Sequence, residues 1–193
     1  KVIGVTGTNG KTTVTMLIKS ILEQATGKKV GLMGTNANFI GGQELPAERT
    51  TPESYEVFSL LSQMKEAGCE YAVMEVSSHA LALDRVYGVQ FETGVFTNFS
   101  RDHLDFHETM ENYLEAKSRL FSVCRYGVVN LDDGAAEKLL KSGSCQFQTY
   151  SVKSDGADLV AKNVNLKADR VEFEAVVEGS ISRISLGIPG MFS

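Results

Sequence analysis

The sequence predicts an α/β domain with a mostly parallel sheet flanked by helices and a small antiparallel β meander at its C-terminal end. Three observations carry this. Short apolar runs alternate with helical stripes over residues 1–150. Those runs are continuously apolar, as in strands buried on both faces. After Tyr150 the pattern changes to closely spaced alternating segments separated by polar or glycine turns.

Taken in order, Val2-Ile-Gly-Val5 reads as a buried strand. Val14, Leu17, Ile18, Ile21, Leu22 and Ala25 form the stripe of an amphipathic helix closing near Gly27. Val30–Met33 is a second strand. Thr51 before Pro52 reads as a helix N-cap with proline at the first helical position, and Val57, Leu60, Leu61 and Met64 mark that helix's buried face up to Gly68. Tyr71–Val76 and Thr93–Asn98 are further strands, a helix is expected from about His107 to Phe121, and Tyr126–Leu131 is the next strand. Leu159–Val164, Arg170–Val177 and Ile181–Leu186 make the meander. The division is thus an α/β core over 1–150 and an antiparallel unit over 151–189. On parallel sheets ligands bind at the carboxyl ends of the strands.

The chain has 193 residues, 42% of them hydrophobic, enough for one domain with a substantial core. Its net charge of −5 argues against a nucleic-acid partner. No eighteen-residue apolar run is present to span a membrane, and the opening residues look like a strand rather than a signal peptide. Cys69, Cys124 and Cys145 are odd in number and far apart in sequence, which disfavours zinc or a disulfide framework and suits a cytoplasmic protein with buried thiols.

Gly7-Thr-Asn-Gly10-Lys11-Thr12-Thr13 lies between the first strand and the first helix. Glycines let successive backbone N–H groups face an anion, and the helix N-terminus adds partial positive charge. Lys11 can reach β- and γ-phosphates and Thr12 can ligate Mg²⁺. The full P-loop pattern fails at Val5, where it requires glycine, but GKTT before a helix is intact. The loop makes the expected sheet P-loop-type.

Glu75 ends an apolar strand, where a carboxylate is costly unless paired or metal-bound. Lys117 lies among Met110, Tyr113, Leu114, Leu120 and Phe121 on one helix stripe. Two readings stay open for it: a buried stem with its head in water, or an amine of depressed pKa that takes up CO₂ and becomes an oxygen ligand. Ser100-Arg-Asp-His-Leu-Asp-Phe-His107 follows a strand and reads equally as a polar cap or a ligand segment. Mg²⁺ prefers oxygen, so a histidine ligand from this segment would be unusual and would also suit Mn²⁺.

GTNGKTT at 7–13, TTPE at 50–53, EVSSHAL at 75–81, TNFSRDHLDFH at 97–107 and YLEAK at 113–117 together resemble the Mur ligase family. Within it the likeness is to the branch that adds the third amino acid to UDP-N-acetylmuramoyl-L-alanyl-D-glutamate in peptidoglycan synthesis. The resemblance implies an ATP-dependent ligase forming an amide through an acyl phosphate. Gly7, Thr8, Asn9, Gly10, Lys11, Thr12 and Thr13 would hold ATP phosphates, and Asn98 would lie beside the nucleotide. Thr12 and Glu75 would hold one Mg²⁺. His103 and Lys117, as N6-carboxylysine, would hold a second. Lys11, Glu75, His103 and Lys117 are then the catalytic set. Thr50, Thr51, Ser77 and Arg85 match positions that contact the UDP-sugar-peptide, whereas Arg49 and Leu83 depart from the Asn and Gln of some members.

The resemblance also implies a monomeric, cytoplasmic, three-domain enzyme of which this is the central ATPase domain. Flanking domains would bind the uridine nucleotide and the incoming amino acid, and Gly190–Ser193 would run toward the latter. The choice between meso-diaminopimelate and lysine stays open. So do three alternatives: another ligase of the superfamily such as cyanophycin synthetase, a non-ligase P-loop NTPase, and a binding module without turnover.

Overall fold

The computed structural model describes residues 1–187, so the expectation placed on Gly190–Ser193 lies outside the described residues. In chain order the elements are β1 (Val2–Thr6), α1 (Lys11–Thr26), β2 (Lys29–Met33), β3 (Ala37–Ile40), β4 (Gln43–Pro46), α2 (Ser54–Glu66) and β5 (Cys69–Glu75). Then come α3 (Ser78–Ala82), β6 (Phe91–Phe96), α4 (Leu104–His107), α5 (Met110–Ser118), α6 (Leu120–Val123) and β7 (Cys124–Asn130). The last are α7 (Ala136–Ser142), β8 (Gln146–Ser151), β9 (Leu159–Leu166), β10 (Val171–Val177) and β11 (Ser180–Leu186).

Among the described residues the strands form one eleven-stranded sheet in the order β11-β10-β9-β8-β7-β6-β1-β5-β2-β3-β4. From β2 through β5, β1, β6 and β7 to β8 every pairing is parallel, and β9 joins β8 in parallel at two residues. The two outer groups are antiparallel: β9-β10-β11 at one end, as the alternation predicts, and β2-β3-β4 at the other. The parallel strands are apolar because helices cover them. Val5, Val30, Val73 and Val95 pack with Val14, Ile18 and Leu22 of α1. A larger cluster joins Val57, Leu60 and Met64 of α2 to Met74, Phe96, Leu120, Phe121 and Leu139. No helix among the described residues is long and apolar enough to cross a membrane.

Two expectations are corrected. Thr51 is not an N-cap: α2 starts at Ser54 with Glu53 at the cap position and no side-chain cap bond. The Thr51 hydroxyl instead donates to the Glu75 carbonyl at 2.8 Å and accepts from the Ser77 N–H at 3.0 Å. The helix expected over 107–121 is three pieces. Glu108 takes a left-handed φ of 66° and ends α4, and Thr109 then starts α5 by accepting from the Asn112 N–H at 3.1 Å. The β3–β4 hairpin is additional to the expected elements. Its turn, Gly41-Gly42, has φ of 56° and 98°, the two positive values that a tight two-residue hairpin needs.

Cys124 is buried and Cys69 and Cys145 are half-buried, all free. Burial, with Cys145 adjacent, pushes the Cys124 thiol up to about 12, so it acts as an apolar core side chain.

Phe121 is fully buried where α6 meets the sheet, packed against Phe147 at 5.7 Å between ring centres. Phe121→Ala is expected to cost about 3–5 kcal/mol, read as the drop in unfolding free energy in a urea titration. A loss under 1 kcal/mol would mean that this layer is not part of the core.

Candidate functional site

The site lies along the carboxyl rim of the parallel strands. β1 ends in the loop Gly7–Gly10, whose end glycines have φ of 145° and 81°. A Cβ on Gly7 would sit 1.9 Å from the Thr97 hydroxyl oxygen, so only glycine fits there. Gly10 caps α1 in the left-handed conformation. Asn98, just after β6, staples the loop: its side chain accepts from the Asn9 N–H at 2.9 Å and donates to the Asn9 carbonyl at 3.0 Å, while its own carbonyl accepts from the Thr8 N–H at 2.8 Å. The Thr97 hydroxyl adds a bond to the Asn9 carbonyl at 2.7 Å. Lys11, the first residue of α1, folds back and donates to the carbonyls of Gly7 and Thr8 at 3.0 and 2.9 Å. Thr13 is half-buried on the first turn of α1.

β5 brings Glu75 alongside this loop. Its carboxylate is 1% exposed and accepts from the Thr12 hydroxyl at 2.9 Å, the Thr35 N–H at 2.8 Å and the Thr35 hydroxyl at 3.0 Å. That set resolves the cost of burying it. Thr35 is a partner that sequence reasoning missed; its one signal is a place directly after β2. Thr50 Oγ1 lies 3.1 Å from Thr35 Oγ1.

Lys117 is 1% exposed, so its head does not reach water. It donates to the Gly7 carbonyl at 2.9 Å and lies 4.4 Å from the centre of the Tyr113 ring. Burial first and the Lys11 charge second lower its pKa, against the opposing pull of Asp102, to about 7. Burial also lowers the Lys11 pKa, against the pull of Glu75 and Asp102. Tyr113 ties the same layer to the loop, its hydroxyl 3.2 Å from Thr8 Oγ1, which in turn accepts from the Ser100 N–H at 3.0 Å.

The chain's three histidines gather beside Tyr113. His103 has a left-handed backbone, φ 50°, and a half-exposed ring with Nε2 3.5 Å from Asp102. His107 is buried, with Nε2 2.9 Å from Ser78 Oγ, and is occupied by that contact. His79, which the sequence did not single out, stands edge-on to His103 at 4.9 Å between ring centres. Burial, with neighbouring positive charge, holds His79 and His107 below the usual histidine range.

On the α2 side, Thr51, Ser77 and Arg85 converge. The Thr51 and Ser77 hydroxyls are 3.3 Å apart, and Ser77 caps α3 by accepting from the Ala80 N–H at 3.1 Å. Arg85 donates to the Thr51 carbonyl at 3.3 Å and pairs with Glu53 at 3.0 Å, while its buried Nε has no partner. Arg49 reaches Glu53 at 3.6 Å, and Leu83 is half exposed. At the end of β7 Asn130 donates to the Thr97 carbonyl at 2.9 Å, and beyond it Asp133 accepts from the Phe99 N–H at 2.7 Å. These two set the Asn98 loop and were also missed; their only signal was polar residues at and just after a strand end.

Lys117 titrates lower when folded than its unfolded value of about 10.4. Between the two the unfolded chain binds the extra proton, so folding is penalised below pH 7 and stability rises as pH increases past it. In carbon-dioxide-free buffer the unfolding free energy is expected to climb from pH 7 to 9, by up to about 1.4 kcal/mol per pH unit. Lys117→Met should flatten that slope; an unchanged slope would mean that the ammonium is not desolvated.

Comparison with known proteins shows the family. The model of the Mur ligase middle domain matches residues 5–193. The chain is 51% identical over 193 residues to the UDP-N-acetylmuramoyl-L-alanyl-D-glutamate--2,6-diaminopimelate ligase of Clostridium tetani, covering 100% of the chain and 39% of that protein. For the ligase of the same name from Clostridium botulinum the identity is 48%, with 100% and 40% covered. A solved structure of a ligase of this name superposes with a TM-score of 0.86 at 32% identity, over 95% of this chain and 38% of the other. MurF from Acinetobacter baumannii shares the fold, with a TM-score of 0.75 at 20% identity over 98% of this chain and 39% of that one. The chain therefore spans about two fifths of the length of the curated relatives it matches. It belongs to the Mur ligase family, as a middle domain of that family.

Proposed function

We propose that this chain is the ATP-and-carboxylate core of a ligase that adds the third amino acid to UDP-N-acetylmuramoyl-L-alanyl-D-glutamate, through an acyl phosphate, in peptidoglycan precursor synthesis. The observation that carries it is a single rim on which the loop Gly7–Thr13, the buried Glu75, the buried Lys117 and the Thr51–Ser77–Arg85 group all meet. The relatives' names favour 2,6-diaminopimelate as the amino acid over lysine. Segments flanking this chain in the whole protein would bind the uridine nucleotide and the amino acid. A nucleotide-linked substrate and ATP suit a monomer working in the cytoplasm.

A carboxylate resists attack by an amine because it is already an anion, and ATP is a second anion. The protein's work is to hold the two together and offset their charge. The loop amides, the α1 N-terminus and Lys11 would grip the β- and γ-phosphates, which requires Lys11 to leave the Gly7 and Thr8 carbonyls. Thr12 and Glu75 present adjoining oxygens, a hard donor pair that fits Mg²⁺ held by one carboxylate plus phosphates and water. As an ammonium Lys117 can only donate; as N6-carboxylysine it offers oxygens that, with His103, fit a second cation, Mg²⁺ or Mn²⁺. Bound there, divalent cations would neutralise the charge that builds between phosphate and carboxylate.

The environment of Lys117 favours the modification. With its pKa lowered by burial to about 7, a free amine is accessible near neutral pH, where an exposed lysine would be protonated. The amine lone pair attacks the carbon of CO₂; the N–C bond forms as one C–O π bond breaks, that electron pair stays on the oxygen as the carboxylate charge, and one of the two amine protons passes from nitrogen to water. One N–H remains, so the bond to the Gly7 carbonyl can persist. Thr50, Thr51, Ser77 and Arg85 would orient the muramyl peptide.

In the whole protein, ADP release is expected only when UDP-N-acetylmuramoyl-L-alanyl-D-glutamate and the amino acid are both present. Glu75→Gln should lower it by about 10²-fold or more. Equal release without the muramyl peptide would favour a plain NTPase. Lys117→Ala should lose ligation and regain part of it with added short carboxylic acids, measured as amide product by chromatography. An absence of regain, together with an unmodified mass for Lys117 in bicarbonate and Mg²⁺, would remove the carbamate from the account.

A further inference from the structure

One hydroxyl on the rim has two acceptors and a single proton to give. Thr35 lies in the loop after β2, and its backbone N–H donates to Glu75 Oε1 at 2.8 Å. Its hydroxyl stands 3.0 Å from Glu75 Oε2 and 3.1 Å from Thr50 Oγ1. It can donate to only one of these oxygens at a time.

Both acceptors are held in place. The N–H bond pins Thr35 to the same carboxylate that its hydroxyl touches, and a β-branched side chain has few rotamers to choose from. Gly34 permits the close approach, since a Cβ there would stand 2.6 Å from Glu75 Oε1. Thr50 is fixed through its neighbour Thr51, which donates to the Glu75 carbonyl at 2.8 Å and accepts from the Ser77 N–H at 3.0 Å. One acceptor therefore belongs to the carboxylate beside Thr12, and the other to the Thr51–Ser77–Arg85 side of the rim.

From this geometry we propose that Thr35 is a positioning residue whose hydroxyl turns from Glu75 to Thr50 when Glu75 holds a cation, and so couples the binding of a Mg²⁺-nucleotide to that of the muramyl peptide. The inference rests on the ligase reading above, which assigns the cation to Thr12 and Glu75 and the peptide to Thr50 and its neighbours. Without a cation the charged carboxylate is the stronger acceptor and keeps the Thr35 proton. With its charge offset by a divalent cation, Glu75 loses that advantage and the Thr50 oxygen takes the proton. A hydroxyl that accepts a hydrogen bond donates more strongly, so Thr50 then offers a better donor to the anionic peptide. The peptide in turn draws the Thr35 proton toward Thr50 and frees Oε2 for the cation, because coupling between two ligands is reciprocal. No covalent bond is made or broken; one hydroxyl rotates.

The test is calorimetry on the whole protein with ADP, in Mg²⁺ or in EDTA, with and without saturating UDP-N-acetylmuramoyl-L-alanyl-D-glutamate. In the unsubstituted protein the muramyl ligand should tighten ADP roughly fivefold in Mg²⁺ and leave it unchanged in EDTA. Thr35→Val keeps the shape and the N–H bond but removes the proton. It should abolish the muramyl effect while the ADP affinity in EDTA stays as it was, and Thr35→Ser should retain the effect. A muramyl effect that survives in Thr35→Val, or that is equal in Mg²⁺ and EDTA, overturns the relay. So does its loss in Thr35→Ser, which would make the role of this residue one of shape. If Thr35→Val melts at a lower temperature, Thr50→Val cuts the other end of the relay and is measured at saturating muramyl ligand. Loss of the coupling there supports the relay, and its retention overturns it. An unsubstituted protein that binds the muramyl ligand with no effect on ADP in Mg²⁺ overturns the relay and leaves the ligase reading standing. If it binds no muramyl ligand, the ligase reading falls and the relay with it.

Discussion

The Gly7 carbonyl holds two lysines at once. Lys11 reaches it from the start of α1 and Lys117 from the buried face of α5, at 3.0 and 2.9 Å. The deeper one is sealed from water, and that burial, with repulsion from the Lys11 ammonium second, brings its pKa down to about 7. The arrangement exists because Gly7 has no side chain. Any Cβ there would strike Thr97, and the loop could not curl close enough to offer its carbonyl to both. The curl of the loop and the positions of both lysines are therefore set by one backbone position.

Glu75 organises the opposite side in the same manner. At the end of β5 its carboxylate collects Thr12 from the phosphate loop and Thr35 from the end of β2, while its backbone carbonyl receives Thr51. A buried carboxylate without those donors would be costly. With them it joins three loops that are distant in sequence but share the carboxyl rim of the sheet. The group Thr51–Ser77–Arg85 is anchored through that same residue, so it and the loop Gly7–Thr13 are held by one strand.

The fold and site were legible in the sequence to different depths. Parallel strands were readable because burial on both faces makes them apolar runs, and the meander because exposure of one face makes it alternate. The β3–β4 hairpin was announced only by Gly41-Gly42, between strands of four residues that leave too short a period to read. The stretch 107–121 has an unbroken apolar stripe, yet Glu108 and Thr109 break the helix through backbone conformation and capping, which no stripe reports. Thr51-Pro52 carries a capping signal that a tertiary partner overrode, since the hydroxyl found the β5 end before it could find its own helix.

By itself the sequence determined the α/β class, the phosphate loop, the acidic strand end and a lysine on the inward face of a helix, because each depends on local order and residue type. Only the tertiary structure decided whether that lysine was buried or reached water, that His107 is taken up by Ser78 while the His103 ring is half exposed, and that Thr35, Asn130 and Asp133 belong to the same rim. Those outcomes depend on what crosses over from other strands. Burial and hydrogen-bond partners are properties of the packed chain, and a residue's neighbours in sequence do not carry them.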